Sequence, residues 1–294
     1  MTATAVLVAV LLSVAGCGAG GEDATEQVEG PAGADAPGAS TAPEVGSGGE
    51  EAPEPDDGFA ASAESSGGEA GAADRIEDVR FQIFDDYERL LIDFDGRDGE
   101  AAGVPRWSVE NPAQGGYVRV RFPGVTSTAI TDEDFVGSVL DELYVVRDRG
   151  GGLFADVFAT HEFRYRVTEL PESGRLVVDV RGVREEISFP PTTGDEAVVL
   201  QPREAEEIVS PIAVRGYARH PEGRVTISLL SREREILASK TVRANDRAAA
   251  WGLFEASLGF SDYQGIATLR VGSPNDGPFV GTETEVFLES AGPG

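Results

Sequence analysis

From Arg75 nearly to the C-terminus, apolar and polar residues alternate with a period of two. Val79/Phe81/Ile83, Leu90/Ile92/Phe94, Val118/Val120/Phe122, Phe163/Tyr165/Val167 and Leu176/Val178/Val180 each put apolar side chains on one side of an extended segment. Successive side chains of a strand point to opposite faces, so runs of this kind predict half-buried antiparallel strands. Asp95-Gly96 and Gly150-Gly151-Gly152 supply turns between them. One stretch leaves two readings open. Thr131 to Val146 either continues the strand series or opens with a helical turn, in which Thr131 and Asp134 form a capping pair and Phe135, Val139 and Leu143 follow at helical spacing.

The alternation breaks at Pro190-Pro191-Thr192-Thr193-Gly194 and then resumes. Ile212/Val214, Val225/Ile227/Leu229, Phe254/Ala256/Leu258, Ala267/Leu269/Val271 and Val286/Leu288 are the inward-facing candidates of this second series. The expected fold class is therefore all-β, with two β-sandwiches over residues 75–190 and 200–290. Strands every 8–12 residues suit an immunoglobulin-type sandwich for the second. Cys17 is the only cysteine, so that sandwich has no inter-sheet disulfide and must hold by packing, with Trp251 and Phe254 as its expected large anchors.

The N-terminal quarter of the chain has a different composition. Val6 to Leu12 is an apolar core too short to span a bilayer, which needs about 20 residues. It ends in Ser13-Val14-Ala15-Gly16 and then Cys17, the layout of an export signal with its cleavage region. Cys17 directly after Val14-Ala15-Gly16 resembles the lipobox of bacterial lipoproteins. That resemblance implies a signal peptide over 1–16, a diacylated thiol at Cys17 and an anchor on the outer face of the cell membrane. Met1 to Ala5 carry no Lys or Arg, which departs from the positive start usual in export signals. Gly18 to Asp74 is rich in Gly, Ala, Pro, Ser, Glu and Asp, with fourteen acids and no base. Such a segment cannot bury enough apolar surface to offset its chain entropy, so 17–74 reads as the lipidated cysteine and a disordered acidic linker. As a coil it reaches about 40 Å, and self-repulsion extends it.

Charge narrows the function. With 52 acids against 24 bases the formal net charge is −28. Nucleic acid is excluded as a partner, because phosphate contacts need Lys or Arg to displace counterions. A polybasic grip on anionic lipid is excluded for the same reason. Two histidines and one cysteine leave no Cys/His metal cluster, and no cofactor is implied.

Two further resemblances concern the sandwiches. Ile208-Val209-Ser210-Pro211, Val214, Gly216, Ala218, Glu222-Gly223, Val225, the Trp251…Phe254 region, Gly265, Leu269, Val271 and Val286-Phe287-Leu288 resemble the immunoglobulin-like domain of bacterial spore germination proteins. This implies an extracytoplasmic interaction or spacer module. In the first sandwich, Val79-Arg80-Phe81, Tyr87 to Phe94, Pro105-Arg106-Trp107-Ser108-Val109, Phe163-Arg164-Tyr165 and Arg175 to Val180 look like an AMIN-like domain of actinobacterial lipoproteins. That likeness implies kinship with the wall-targeting domain of amidases. No amidase domain accompanies it in this sequence, which leaves binding.

Candidate binding residues follow from strand alternation. Arg119/Arg121 and Arg164/Arg166 each point away from the core, where exposed guanidinia can grip carboxylates or phosphates, or simply form a solvated sheet face. Trp107 and Tyr117 are candidates for stacking on sugar rings. Asp93 to Glu100 fails the calcium-loop order, since Arg97 stands at position 5 and Asp98 at the glycine position; a hairpin explains it. Adjacent acids at Asp85-Asp86 and Asp132-Glu133-Asp134 are weak signs of glycoside hydrolysis. His161 and His220 have no nucleophile beside them, and no nucleophile elbow or phosphate loop is present. The expectation is a non-enzymatic envelope lipoprotein that binds cell-wall glycan or peptide. A scaffold for an envelope, germination or division protein, or a wall-active hydrolase, are the alternatives.

Overall fold

In the computed structural model the described residues are 58–60, 65–96, 99–100, 103–110, 115–246, 249–273 and 279–289. The signal segment, Cys17 and the linker up to Asp57 lie outside them. The first module contains β1 (Ser65–Gly67), β2 (Arg75–Ile83), β3 (Glu88–Gly96), β4 (Gly99–Glu100), β5 (Trp107–Glu110) and β6 (Tyr117–Phe122). It continues with β7 (Ser127–Thr128), β8 (Asp132–Asp134), β9 (Leu140–Arg147), β10 (Leu153–Ala159), β11 (His161–Leu170) and β12 (Arg175–Glu186). The second contains β13 (Ala197–Gln201), β14 (Glu207–Val209), β15 (Ile212–Ala218) and β16 (Arg224–Leu230), then β17 (Ile236–Arg243), β18 (Trp251–Leu258), β19 (Gly265–Gly272) and β20 (Gly281–Glu289). The protein is all-β; among the described residues the only helical element is a short 3-10 turn at Pro171–Ser173.

In the first module, β1-β5-β6-β10-β9, with β8 beside β9, face β11-β12-β3-β2-β7 across a shared core. Leu90, Ile92 and Phe94 of β3 and Val118, Val120 and Phe122 of β6 lie in it, as alternation requires. The second module packs β13-β15-β18 against β14-β20-β19-β16-β17, and all thirteen inward candidates of its alternating series lie in its core. Gly216 is required there: a Cβ would collide with the Val198 carbonyl oxygen and the Phe254 ring.

Two expectations need correction, and one stretch left open resolves to strands. Thr131 to Val146 forms β8 and β9 rather than a helical turn, because Leu143 and Val145 alternate into the core while Tyr144 and Val146 face outward. The first module begins before Arg75. Phe59, Ala72 and Ala73 are buried, and β1 pairs antiparallel with β5. Ladder hydrogen bonds come from the backbone, so Ser65-Ser66-Gly67 can add a strand without a hydrophobic signature. Gly67 packs closely there: a Cβ would press on the Glu169 carboxylate and the Trp107 ring, so one of them would have to shift. Finally, Trp251 is no anchor of the second core. It lies three residues from Phe254 on the same strand, and odd spacing puts the two on opposite faces.

The two sandwiches are not beads on a string. β18 runs parallel to β9 at Trp251↔Val146 and Gly252↔Arg147, so one nine-stranded sheet continues from one module into the other. Tyr117, Tyr144, Val146, Phe154 and Phe158 of the first module pack with Val198, Tyr217 and Trp251 of the second. Trp251 meets Tyr144 edge-on at 5.0 Å and Tyr217 meets Phe154 at 6.0 Å. Such aromatic burial is what fixes two modules as one compact unit.

Candidate functional site

The junction of the modules is built around a buried ion pair. On β10, Leu153, Ala155 and Val157 fill the first core, so Asp156 must face the other way. It is fully buried there, and Arg119 of β6 grips it with two hydrogen bonds, Nε to Oδ1 and Nη2 to Oδ2, both 2.7 Å. From the second module the Tyr217 hydroxyl donates to the same carboxylate, and Arg119 Nη2 lies 2.9 Å from that hydroxyl. Burial pushes the Asp156 carboxyl up, against the pull of Arg119 and Tyr217. Burial likewise drags the Arg119 guanidinium down, but the hydrogen bonds and charge of Asp156 outweigh it and hold it above the ordinary value. Tyr217 is pushed well up by burial and then by the Asp156 charge. Around this centre, Trp251 Nε1 donates to Asp132 at 3.0 Å, Arg219 bridges to Asp132 at 2.9 Å and Arg147 to Asp246 at 3.0 Å.

Beside the ion pair opens a cleft of about 1170 Å³ between the modules. Tyr117 and Arg119 line it from the first module, and Gly216 and Leu253 from the second. Arg149 and Arg215 both grip Glu255 there, at 2.6 and 2.9 Å. Arg203 donates through Nη2 to the Gly115 carbonyl at 2.8 Å, and burial lowers its guanidinium. Glu162, Glu186 and Glu204 also line the cleft, are exposed, and carry no ion pair among the described residues. The guanidinia are thus largely committed, while spare capacity lies in carboxylate acceptors.

The residues singled out from sequence are scattered by the fold. Tyr117 is buried at the cleft, where burial raises its hydroxyl. Arg119 does point away from the first core, but the face it shares with Tyr117 is covered by the second module, so its side chain is only 14% exposed. Arg121 sits further along the same face, paired at 2.7 Å with both Glu110 and Asp148. Trp107 cannot stack on a sugar: it is in the first core, with Nε1 donating to Glu169 at 2.7 Å. Spacing explains this, because Trp107 shares the parity of buried Val109. Arg164 and Arg166 lie on the opposite side of the first module. Arg164 is exposed; Arg166 pairs with Asp179 at 2.8 Å and stands 4.5 Å over the Phe59 ring. Asp179 in turn takes Arg89, and Asp93 takes Arg80 and Arg175, so this sheet carries a ladder of Arg–Asp–Arg triplets.

Most of the remaining polar candidates are locally engaged, while Asp85, Glu133 and Asp134 are exposed and have no ion pair among the described residues. Asp93 ends in a ladder rather than a calcium loop, and Arg97 and Asp98 lie outside the described residues. Asp132 is taken by Trp251 and Arg219, and Asp86 by Arg181 at 2.8 Å. His161 Nδ1 shares a hydrogen bond with Thr160, and His220 Nδ1 accepts from the Glu222 amide. Among the described residues no three His, Cys, Asp or Glu side chains gather as metal ligands. Sequence reasoning missed Arg203, Arg149, Arg215 and the glutamates of the cleft. No local signal marks them, since the cleft exists only where the two modules meet.

With this geometry in place, comparison adds one family. Residues 196–278 match the model of the immunoglobulin-like domain of bacterial spore germination, a span that takes in β13 through β19. An immunoglobulin-like module of this class points to binding or scaffolding. No curated protein and no solved structure matches the chain.

Proposed function

We propose that the chain is a non-enzymatic envelope lipoprotein that binds a cell-wall component, with the peptide portion of the wall polymer seated between its modules. The observation that carries this reading is the cleft of about 1170 Å³, whose Arg119, Arg149 and Arg215 are held by carboxylates, leaving Glu162, Glu186 and Glu204, which carry no ion pair among the described residues, as its acceptors. Pockets for small ligands run to roughly 1,000 Å³, so this one has room for a segment of polymer. Wall peptides carry both amines and carboxylates, and the free glutamates accept from ammonium and amide groups. The buried acid Asp156 is spent on Arg119 and Tyr217, which suits a structural role rather than proton transfer. Anchoring through Cys17, an outward-facing location and an AMIN-like first module complete the proposal and rest on the sequence motifs.

Sedimentation of the full chain with purified peptidoglycan tests it. Binding is expected, with no muropeptide release, and Glu162→Lys with Glu204→Lys lowers it by roughly tenfold through lost charge-assisted contacts. Binding that survives this double reversal but is lost in Arg164→Ala with Arg166→Ala would move the site to the arginine ladder. Cys17→Ser is expected to release the protein from the membrane fraction.

A further inference from the structure

The first module has a second recess, of about 590 Å³, on its open side and remote in sequence from the cleft. Val79, Phe81 and Ile83 of β2 line one wall; Glu133 and Asp134 of β8 with Phe135 and Val136 line the other. Its base is the stacked pair Phe81–Phe135, with centroids 4.8 Å apart. Two apolar side chains stand in solvent at its mouth: Ile83 is 61% exposed and Val136 93%. The loop carrying Val136 is not left loose. The buried carboxylate of Glu88 accepts from the backbone amides of Ser138, Val139 and Leu140 and so fixes it.

The backbone along this recess is an unfinished sheet edge. β3 pairs with β2 along its length, but β7 meets it only at Arg75 and Ile76. The Phe84 amide donates to the Tyr87 carbonyl at 2.9 Å, closing the Asp85-Asp86 turn and setting the ladder phase. Counting back by two, Gln82 and Arg80 bond to β3, whereas the N–H and C=O groups of Ile83 and Phe81 face the open side. The Val79 amide, on that same side, is met among the described residues only by its neighbour Asp78 Oδ1 at 3.0 Å. Backbone groups that point to the open side, with no ladder partner among the described residues, beside pockets for alternate apolar side chains are the requirements for adding a strand.

We propose that an extended peptide of a partner protein pairs with the β2 edge, placing apolar residues at alternate positions into the recess and basic residues at its ends. The charge of the rim selects this occupant. Glu133 and Asp134 line the recess and Asp85 is exposed in the turn two residues past Ile83; none of the three has an ion pair among the described residues. A second copy would bring the same acids against themselves, and an anionic lipid surface would be repelled. This goes beyond the proposed wall binding and does not depend on the cleft.

The probe is a fluorescein-labelled peptide of alternating valine and threonine with lysine at both ends, titrated into the full chain by anisotropy. The lysine-ended peptide is expected to bind at least roughly tenfold tighter than a glutamate-ended one. Ile83→Pro deletes one edge N–H without touching the β2–β3 ladder and is expected to abolish binding, whereas Ile83→Thr with Val136→Ser weakens it severalfold. Glu162→Lys with Glu204→Lys, which disables the cleft, leaves peptide binding unchanged. The proposal is overturned by equal affinity for the glutamate-ended peptide, by no binding of either, or by unaltered binding to Ile83→Pro. Self-association of the chain that Ile83→Pro removes, or binding to phosphatidylglycerol vesicles in preference to the peptide, also overturns it.

Discussion

Arg119/Arg121 and Arg164/Arg166 have the same spacing, alternate with apolar residues in the same way and sit on strands of the same module. Their environments are opposite. β6 is interior to its sheet and its outer face is roofed by the second module, so Arg119 is sequestered against the fully buried Asp156. β11 is an edge strand, and Arg164 stays in water while Arg166 shares Asp179 with Arg89 across the strands. A guanidinium becomes part of a structural joint when its counter-ion and its cover come from elsewhere in the chain. On a sheet face that no second module covers, Arg164 keeps its guanidinium in solvent while Arg166 is tied into the arginine ladder.

The sharpest way to break this contrast is to break one ion pair in each environment. Asp156→Ala strands Arg119 in the joint, and a buried pair broken on one side costs about 3–5 kcal/mol. Denaturant unfolding should show that loss; a cost near that of a surface change would mean the joint is wet. Arg166→Ala leaves Asp179 held by Arg89, and because Arg166 is about a third exposed the loss should be within about 1 kcal/mol by the same measurement. If the two substitutions cost the same, the division into joint and open ladder fails. The smallest effect concerns Glu255, which ties Arg149 and Arg215 together at the cleft. Hydrogen bonds from Arg149 and then Arg215 hold its carboxyl below the ordinary value. A carboxylate depressed by folding adds stability above its unfolded value of about 4.3, and that contribution is lost as the pH falls through the folded value. Acid titrations monitored by tryptophan fluorescence should therefore show a shallower decline below about pH 4.3 for Glu255→Gln than for the unaltered chain.

Much of the fold was legible as alternation. Period two placed thirteen residues correctly in the second core, missing Ala197, Val199, Ile208 and Ala218, and placed Phe122, Leu90 and Leu176 in the first. The method is weakest where side chains carry no signature. β1 is Ser-Ser-Gly and joins its sheet through backbone groups, so a composition test assigns it to the linker. Trp107 and Trp251 show a different shortfall: alternation says which face a residue takes but not what that face meets. Trp107 has the core parity of Val109, whereas Trp251 leaves its own module's core for the face that meets the first module.

Local pattern by itself determined that the chain is all-β and which side of each long strand is apolar, because those properties depend only on neighbouring residues and the pleat. Tertiary structure alone decided that the modules share a sheet, that Arg119 is covered while Arg164 is not, and that a cleft opens beside Asp156. Each of those depends on residues far apart in sequence, Asp156 and Tyr217 or Val146 and Trp251, whose meeting is set by the packing of whole sheets rather than by any local code.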